Sequence, residues 1–463
     1  MPASLVIIGG GLSGLAAAIR FARFNPNVLI LEQHSRIGGL NSYYYRNNRL
    51  FETGLHAITN FASPGDKRAP LNRLFRQLKL KRDLFDFHEQ IESEIIFTGN
   101  TSLRFSNDFD LLRSEIETAF PSAGPDFDRL LSLINEYDPF APRPFVSARQ
   151  ILGEYLNNPL LVDMLLCPLM YYGSSVINDM DLGQFVIMFR AIFQEGMFRP
   201  GGTIKDLLDV LLASYQNYGG KIRLKSSVSR ILRKGNKVVG VELDSGEVIN
   251  CEFVISTIGY EETLALYGES IPVTENTQPR LGFMESIFEV PVTALPPASS
   301  NRTIIFFNQG SRFLYQPPEN VVHFASGVIC FPSHFQDLPL PATAEIRTTH
   351  LANYQLWHDL SQDRSTYLAA KLAARATSRK TVEEIIGQFS SHILYEDTFT
   401  PLTIERYTGK KEGAIYGRPE KIKNGVIGHE NLFLAGTDQG FLGIVGSMLS
   451  GVSMVNQHIL PKI

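Results

Sequence analysis

The first forty residues constrain the fold more than any other stretch. LVIIGGGLSGLAAAIRFARFNPNVLILEQHSRIGGLNS, residues 5–42, reads as a buried strand (Leu5 to Ile8), a glycine turn, a helix from about Gly14 to Phe24, and a second strand (Val28 to Leu31) followed by an acid. Gly9 permits the sharp turn off the strand, Gly11 lets the backbone come close to a diphosphate, and Gly14 removes the Cβ that would hold helix and strand apart. The helix N-terminus then offers free N–H groups and the positive end of its dipole to an anion. Glu32 follows Gly14 by eighteen residues, where a carboxylate accepts ribose hydroxyls and repels a 2′-phosphate. A glycine turn by itself is a weak signal. With its apolar strand, Ala-rich helix and correctly spaced acid it predicts a βαβ unit that holds a dinucleotide.

A second glycine pair follows in RIGG, residues 36–39, which resembles flavoproteins of the glutathione reductase type. That resemblance implies FAD, with Arg36, Gly38 and Gly39 along the pyrophosphate and ribityl chain. The C-terminal stretch NLFLAGTDQGFLGIVGSMLSGVSMV reads as a buried strand, a loop carrying an acid, and a helix starting near Gly443. Asp438 has the chemistry to accept hydrogen bonds from ribityl hydroxyls. The helix N-terminus around Ile444 and Val445 points N–H groups at the pyrimidine end of a flavin, and the small residues Gly443, Gly446 and Ser447 let the backbone approach the ring.

At 463 residues the chain exceeds one simple core, so two domains are expected. The 43 basic and 47 acidic residues provide no basic field, which sets nucleic-acid binding aside. Cys167, Cys251 and Cys330 lie far apart with no CxxC spacing, so neither a disulfide framework nor a zinc site is expected. This matches a reducing, cytoplasmic setting. The N-terminal apolar run lacks the basic flank of a signal peptide, and no stretch reaches the roughly 18–20 apolar residues of a membrane span. The expectation is a soluble protein or one that touches a membrane from one side.

Along the chain, SYYYRNNRLFETG predicts two strands joined at Asn47-Asn48, and residues 70–80 have helical periodicity. Strands follow from Glu89 to Phe105. A helix capped by Asn107 or Asp108 runs to Phe120, and another covers Asp126 to Tyr137. Residues 147–197 are the greasiest helical region, suited to a core, to a tunnel for an oily ligand, or to contact with a membrane. PGGTIKDLLDVLLASYQNYGGKIRLKSSV then predicts a helix capped by Thr203, a Gly219-Gly220 stop, and a strand to Val228, whose main chain is the expected adenine contact. Beyond Leu264, strands alternate with polar helices from Ala342 to Phe389, whose histidines and acids read as a solvated face. The fold class is α/β: a discontinuous Rossmann-like FAD domain (1–75, 198–265, 425–463) with an inserted α+β substrate domain (76–197, 266–424).

Taken together, GGGLSG…LEQHSRIGG, FETGLHAI, the PGG…GG…V unit, TPLTIERYTGKKEGAIYG and AGTDQGFLGIVGSMLSG resemble the phytoene desaturase-like flavoproteins. Within the wider amine-oxidase superfamily they are most similar to the carotenoid isomerase and retinol saturase branch. The resemblance places Gly9, Gly11, Gly14, Glu32, Arg36, Gly38, Gly39, Val228 and Asp438 on FAD. His56 falls in the GxH position of the saturase branch, and Tyr416 in the segment leading back to the flavin; these two are the catalytic candidates. The implied activity is desaturation or saturation of a lipophilic polyene or isoprenoid. Alternatives are a non-redox cis–trans carotenoid isomerase requiring reduced FAD, an amine oxidase, and a prenyl-binding escort protein without flavin chemistry. The closing motif has GTDQGFLG where several desaturases carry a proline, which bears on the reaction rather than the cofactor.

Overall fold

Alternation along the first strand decides which side of the main sheet faces which core. In Ala3–Ile8 the side chains of Leu5 and Ile7 enter one apolar cluster, and those of Val6 and Ile8 enter another on the opposite face. The computed structural model describes residues 2–99, 101–269 and 279–463. Asn100 in the expected strand region, and 270–278 of the expected substrate segment, lie outside the described residues.

The first sheet has seven strands. Its path runs Lys221–Arg223, Val28–Leu31, Ala3–Ile8, Val248–Ser256, Lys237–Leu243, Val228–Lys234, with Leu432–Leu434 paired to the end of Val248–Ser256. The first four strands and Leu432–Leu434 are parallel, with Ile7 opposite both Ile30 and Ile255. The two remaining strands form an antiparallel meander. Strands from three distant parts of the sequence thus share one sheet. Helices Leu12–Ala22, Ile204–Asn217 and Gly443–Met454 bury their apolar stripes against its first face. Thr203 and Asp206 form a capping box at the start of the second helix. The opening helix begins at Leu12, ahead of the expected Gly14, because Gly11 itself serves as the N-cap.

A second seven-stranded sheet has the order Tyr395–Phe399, Gly282–Pro291, Thr343–Ala352, Val322–Cys330, Ile304–Asn308, Ser93–Phe97, Thr101–Phe105. All its pairings are antiparallel except that of Ile304–Asn308 with Ser93–Phe97. Helix Arg364–Ile386 covers one face. The greasy helices Pro159–Gly173 and Leu182–Phe189 pack into the apolar cluster of the other. Pro159–Gly173 is apolar around its circumference and almost wholly buried, the expected fate of such a helix in a large core. Among the described residues no helix is long and apolar enough to cross a membrane.

One stretch differs from its sequence reading. Thr343–Ala352 is a central strand, not part of a polar helix, and Arg347 and His350 are fully buried in it. Its polar side chains find partners on both faces. His350 meets Ser378 of the covering helix at 3.0 Å, and Arg347 bonds Glu285 on the other side.

Candidate functional site

A cleft of about 430 Å³ opens where the carboxyl ends of the parallel strands meet the opening helix. Gly9, Gly11, Glu32, Gly38, Gly39 and Val228 line it, although they span more than two hundred residues of sequence. Close packing sets the glycine positions. A Cβ on Gly14 would stand 2.1 Å from the Gly9 carbonyl oxygen, and one on Gly9, whose φ is +102°, would stand 2.4 Å from Thr257 Oγ1. Above Gly11 the space is open, its nearest neighbour being the Cα of Gly39 at 3.9 Å. Gly14 therefore joins helix to strand, and Gly11 leaves room for a ligand.

The N-terminus of the opening helix meets the cleft at Leu12 and Ser13, while the closing helix, Gly443–Met454, lines it through Ser447, and Ile444 and Val445 do not line it. Neither the helix capped by Gly11 nor that capped by Leu442 has a side-chain cap or an acid in its first turn. Their leading N–H groups favour negative charge. Ser13 and Thr437 also line the cleft, and each has a buried hydroxyl with no hydrogen-bond partner. Free amides, unpartnered hydroxyls and missing Cβ atoms are what a bulky diphosphate-bearing ligand requires, so the residues present fit FAD.

Glu32 is buried on the cleft wall. Its carboxylate accepts N–H groups from Gly10 at 2.7 Å and His34 at 2.8 Å, which fixes its direction while each oxygen keeps a lone pair for a sugar hydroxyl. Ile444 and Val445 send their side chains into an apolar seam with Ile58, Leu71 and Met448, leaving their main chain at the uncapped helix start. Beside that start, Thr59 Oγ1 would lie 3.2 Å from a Cβ on Gly443, and Asn60 Nδ2 bonds Glu195 at 2.7 Å. Burial pushes the Glu195 carboxyl up to about 7.

Two cofactor candidates sit elsewhere than expected. The Arg36 guanidinium lies over the rings of Tyr43 and Tyr45, at 5.4 and 5.8 Å, and does not line the cleft. Two aromatic faces on the neighbouring hairpin offer it a cation–π site. The Asp438 carboxylate is turned behind the wall, where it accepts N–H groups from Tyr260 at 2.7 Å and Arg418 at 2.8 Å. Gly436 and Thr437 line the cleft in its place. Burial acts to raise the Asp438 pKa, but the charges of Lys410 and Lys421 and these two N–H groups hold it below the usual carboxylate value.

His56 leads into a buried ionic network that sequence reasoning missed. Its Nε2 lies 3.1 Å from Glu285 Oε2, and Glu285 Oε1 accepts Arg347 Nε at 2.8 Å. Arg347 also donates to the Glu52 carbonyl at 2.9 Å, and the Glu52 carboxylate pairs with Arg199. Burial acts to raise the Glu285 pKa, yet Arg347 and His56 hold it at about 2. Strand alternation at Glu285 and Arg347 was the available signal, but nothing local shows that two strands sixty residues apart are neighbours. Tyr416 is pinned by donation to the Tyr171 carbonyl, and among the described residues no hydrogen bond joins it to His56. Ala57, Ile415, Tyr416 and Leu442 all adjoin the apolar cluster of the second sheet. On this side the start of the closing helix, at Leu442, adjoins apolar packing.

Residues 12–277 match the family model described as flavin containing amine oxidoreductase. The chloroplastic prolycopene isomerase 1 of an Oncidium hybrid cultivar is 21% identical over 469 residues, covering 91% of this chain and 76% of that protein. A 4,4'-diaponeurosporene oxygenase of Staphylococcus aureus (strain USA300) is 23% identical over 468 residues, covering 90% and 88%. Among solved structures, an oxidoreductase from Methanosarcina mazei has a TM-score of 0.67 at 16% identity, covering 98% of this chain and 100% of that one. This last likeness is one of fold.

Proposed function

Because the chain belongs to the flavin-containing amine oxidoreductase family and has FAD as its cofactor, we propose that it desaturates or saturates carbon–carbon bonds of a lipophilic polyene or isoprenoid. The observation that carries this reading is the apolar wall beside the closing helix, where Ala57, Ile415, Tyr416 and Leu442 continue into the core of the second sheet. A hydrocarbon is desolvated there at little cost.

Gly9, Gly11, Gly14, Gly38 and Gly39 shape the diphosphate seat, Glu32 holds the ribose, and Val228 borders the adenine end. The N–H groups of Ile444 and Val445 stabilise negative charge at the ring. FAD, when bound, supplies a centre that takes or gives a hydride. The chain's part is to orient the polyene, exclude water and manage protons. Glu285 at Nε2 fixes the His56 ring, which leaves Nδ1 to take up or release a proton. We assign 1–75, 198–265 and 425–463 to holding the cofactor, and 76–197 and 266–424 to holding substrate. Exposed Phe140, Phe145 and Leu160 beside the greasy helices supply the apolar contacts for a membrane surface from which such a substrate would enter.

A second reading, isomerisation without net electron transfer, is favoured by the resemblance to a prolycopene isomerase. Incubation with phytoene, cis-lycopene and retinol, followed by chromatography, separates the two. A product longer or shorter in conjugation supports the redox reaction, and a changed isomer of equal conjugation supports isomerisation. Turnover of amines alone would defeat both. In the same assay His56→Ala is expected to slow turnover by about a hundredfold, and Tyr416→Phe by less. Full activity in both, with unchanged stability, removes their catalytic roles.

A further inference from the structure

The cleft carries one cation among the described residues that line it, and it comes from outside the βαβ unit. Lys410 follows helix Pro401–Thr408 and lines the cleft together with Tyr407, Thr408 and Gly409. This segment faces Gln33 and His34 on the opposite lip. The Tyr407 and His34 rings are 6.2 Å apart, and a Cβ on Gly409 would stand 3.4 Å from Gln33 Nε2. The Lys410 ammonium lies 2.6 Å from where a Cβ on Gly259 would be. Two residues earlier, Thr257 touches the Gly9 turn. The Lys410 side chain thus reaches the segment just beyond the strand that adjoins the glycine turn, at the edge of the cleft.

It makes no direct contact with an acid among the described residues. Among the described residues the Lys410 ammonium makes no ion pair and no hydrogen bond. Two carboxylates stand near it: a Cβ on Gly259 would be 2.1 Å from Glu262 Oε2, whose Oε1 accepts Lys411 N at 3.0 Å, and the charge of Lys410 helps hold the Asp438 pKa down. Arg36, the cation that the sequence offers for this task, is stacked on tyrosines outside the cleft. An ammonium that makes no direct hydrogen bond keeps its donors for an anion that enters the cleft.

We propose that Lys410 is the counter-charge for the cofactor diphosphate, and that Tyr407–Lys410 forms the outer lip that retains the cofactor. This rests on the FAD reading of the cleft. Lys410 adds charge-assisted bonding to the neutral N–H groups of the helix, and a bond of that kind slows ligand loss by about ten- to a hundredfold.

The test is release of flavin from purified holoenzyme after dilution, followed by the rise in flavin fluorescence. Lys410→Gln should release FAD at least about tenfold faster than the parent, Lys410→Arg should stay close to the parent, and Arg36→Gln should accelerate release less than Lys410→Gln. Equal rates in the parent and Lys410→Gln, or a larger effect of Arg36→Gln, would overturn the assignment. A parent protein that purifies without flavin would instead defeat the cofactor reading itself, so the two failures are distinct.

Discussion

A Gly14→Val variant is expected to purify without flavin. The first atom of the new side chain would lie 2.1 Å from the Gly9 carbonyl oxygen and 3.2 Å from Ile7 Cγ2. Neither neighbour can yield. Gly9 is held by its own amide on the Leu31 carbonyl at 2.9 Å, and Ile7 is locked between Ile30 and Ile255 in the parallel sheet. The helix must therefore move outward by about 1 Å, and its amides leave the diphosphate seat. Displacements of that size cost on the order of a hundredfold where geometry is matched to a ligand, and the overpacking adds about 1–3 kcal/mol of destabilisation. The ratio of flavin to protein absorbance reads the result directly. A stoichiometric flavin content would mean that the turn does not hold the cofactor.

Arg347→Met should cost about 3–5 kcal/mol of stability, because it strands the Glu285 carboxylate in a dry site. Arg347 is fully buried, and Glu285 and Glu345 both depend on it. Adding Glu285→Gln to Arg347→Met should recover part of the loss, since the pair is then removed together. Denaturant melts of the two single variants and the double variant give the coupling; simple additivity would refute the network. The same pair sets an acid limit. Glu285 has a folded pKa of about 2 against an ordinary 4.5. Its contribution is thus complete above about pH 4.5 and is lost as pH falls towards 2.

The parts of the fold legible in the sequence are those specified by neighbours along the chain. The Gly9–Gly14 turn, the Thr203 capping box and the hairpin at Asn47-Asn48, whose φ values are +48° and +61°, each need only a few adjacent residues. The placement of Arg36 and Asp438 was not legible, because each is decided by groups that arrive from elsewhere: the tyrosines of the hairpin for Arg36, and the Tyr260 and Arg418 amides for Asp438. Thr343–Ala352 misled for a related reason. Glu345, Arg347 and His350 resemble a solvated helix until Glu285 and Ser378 supply their partners. Lys410 is one lysine among several in a polar segment, and only the closure of the chain over the cleft distinguishes it.

The central claim is that a bound flavin exchanges electrons with a polyene held against an apolar wall. Its most direct test is anaerobic: mix flavin-loaded protein with phytoene, cis-lycopene or retinol, and record the flavin spectrum together with the product chromatogram. The account predicts either bleaching of oxidised flavin with a longer conjugated product, or reoxidation of pre-reduced flavin with a shorter one. A flavin spectrum unchanged by every polyene, with no change in conjugation, would contradict it.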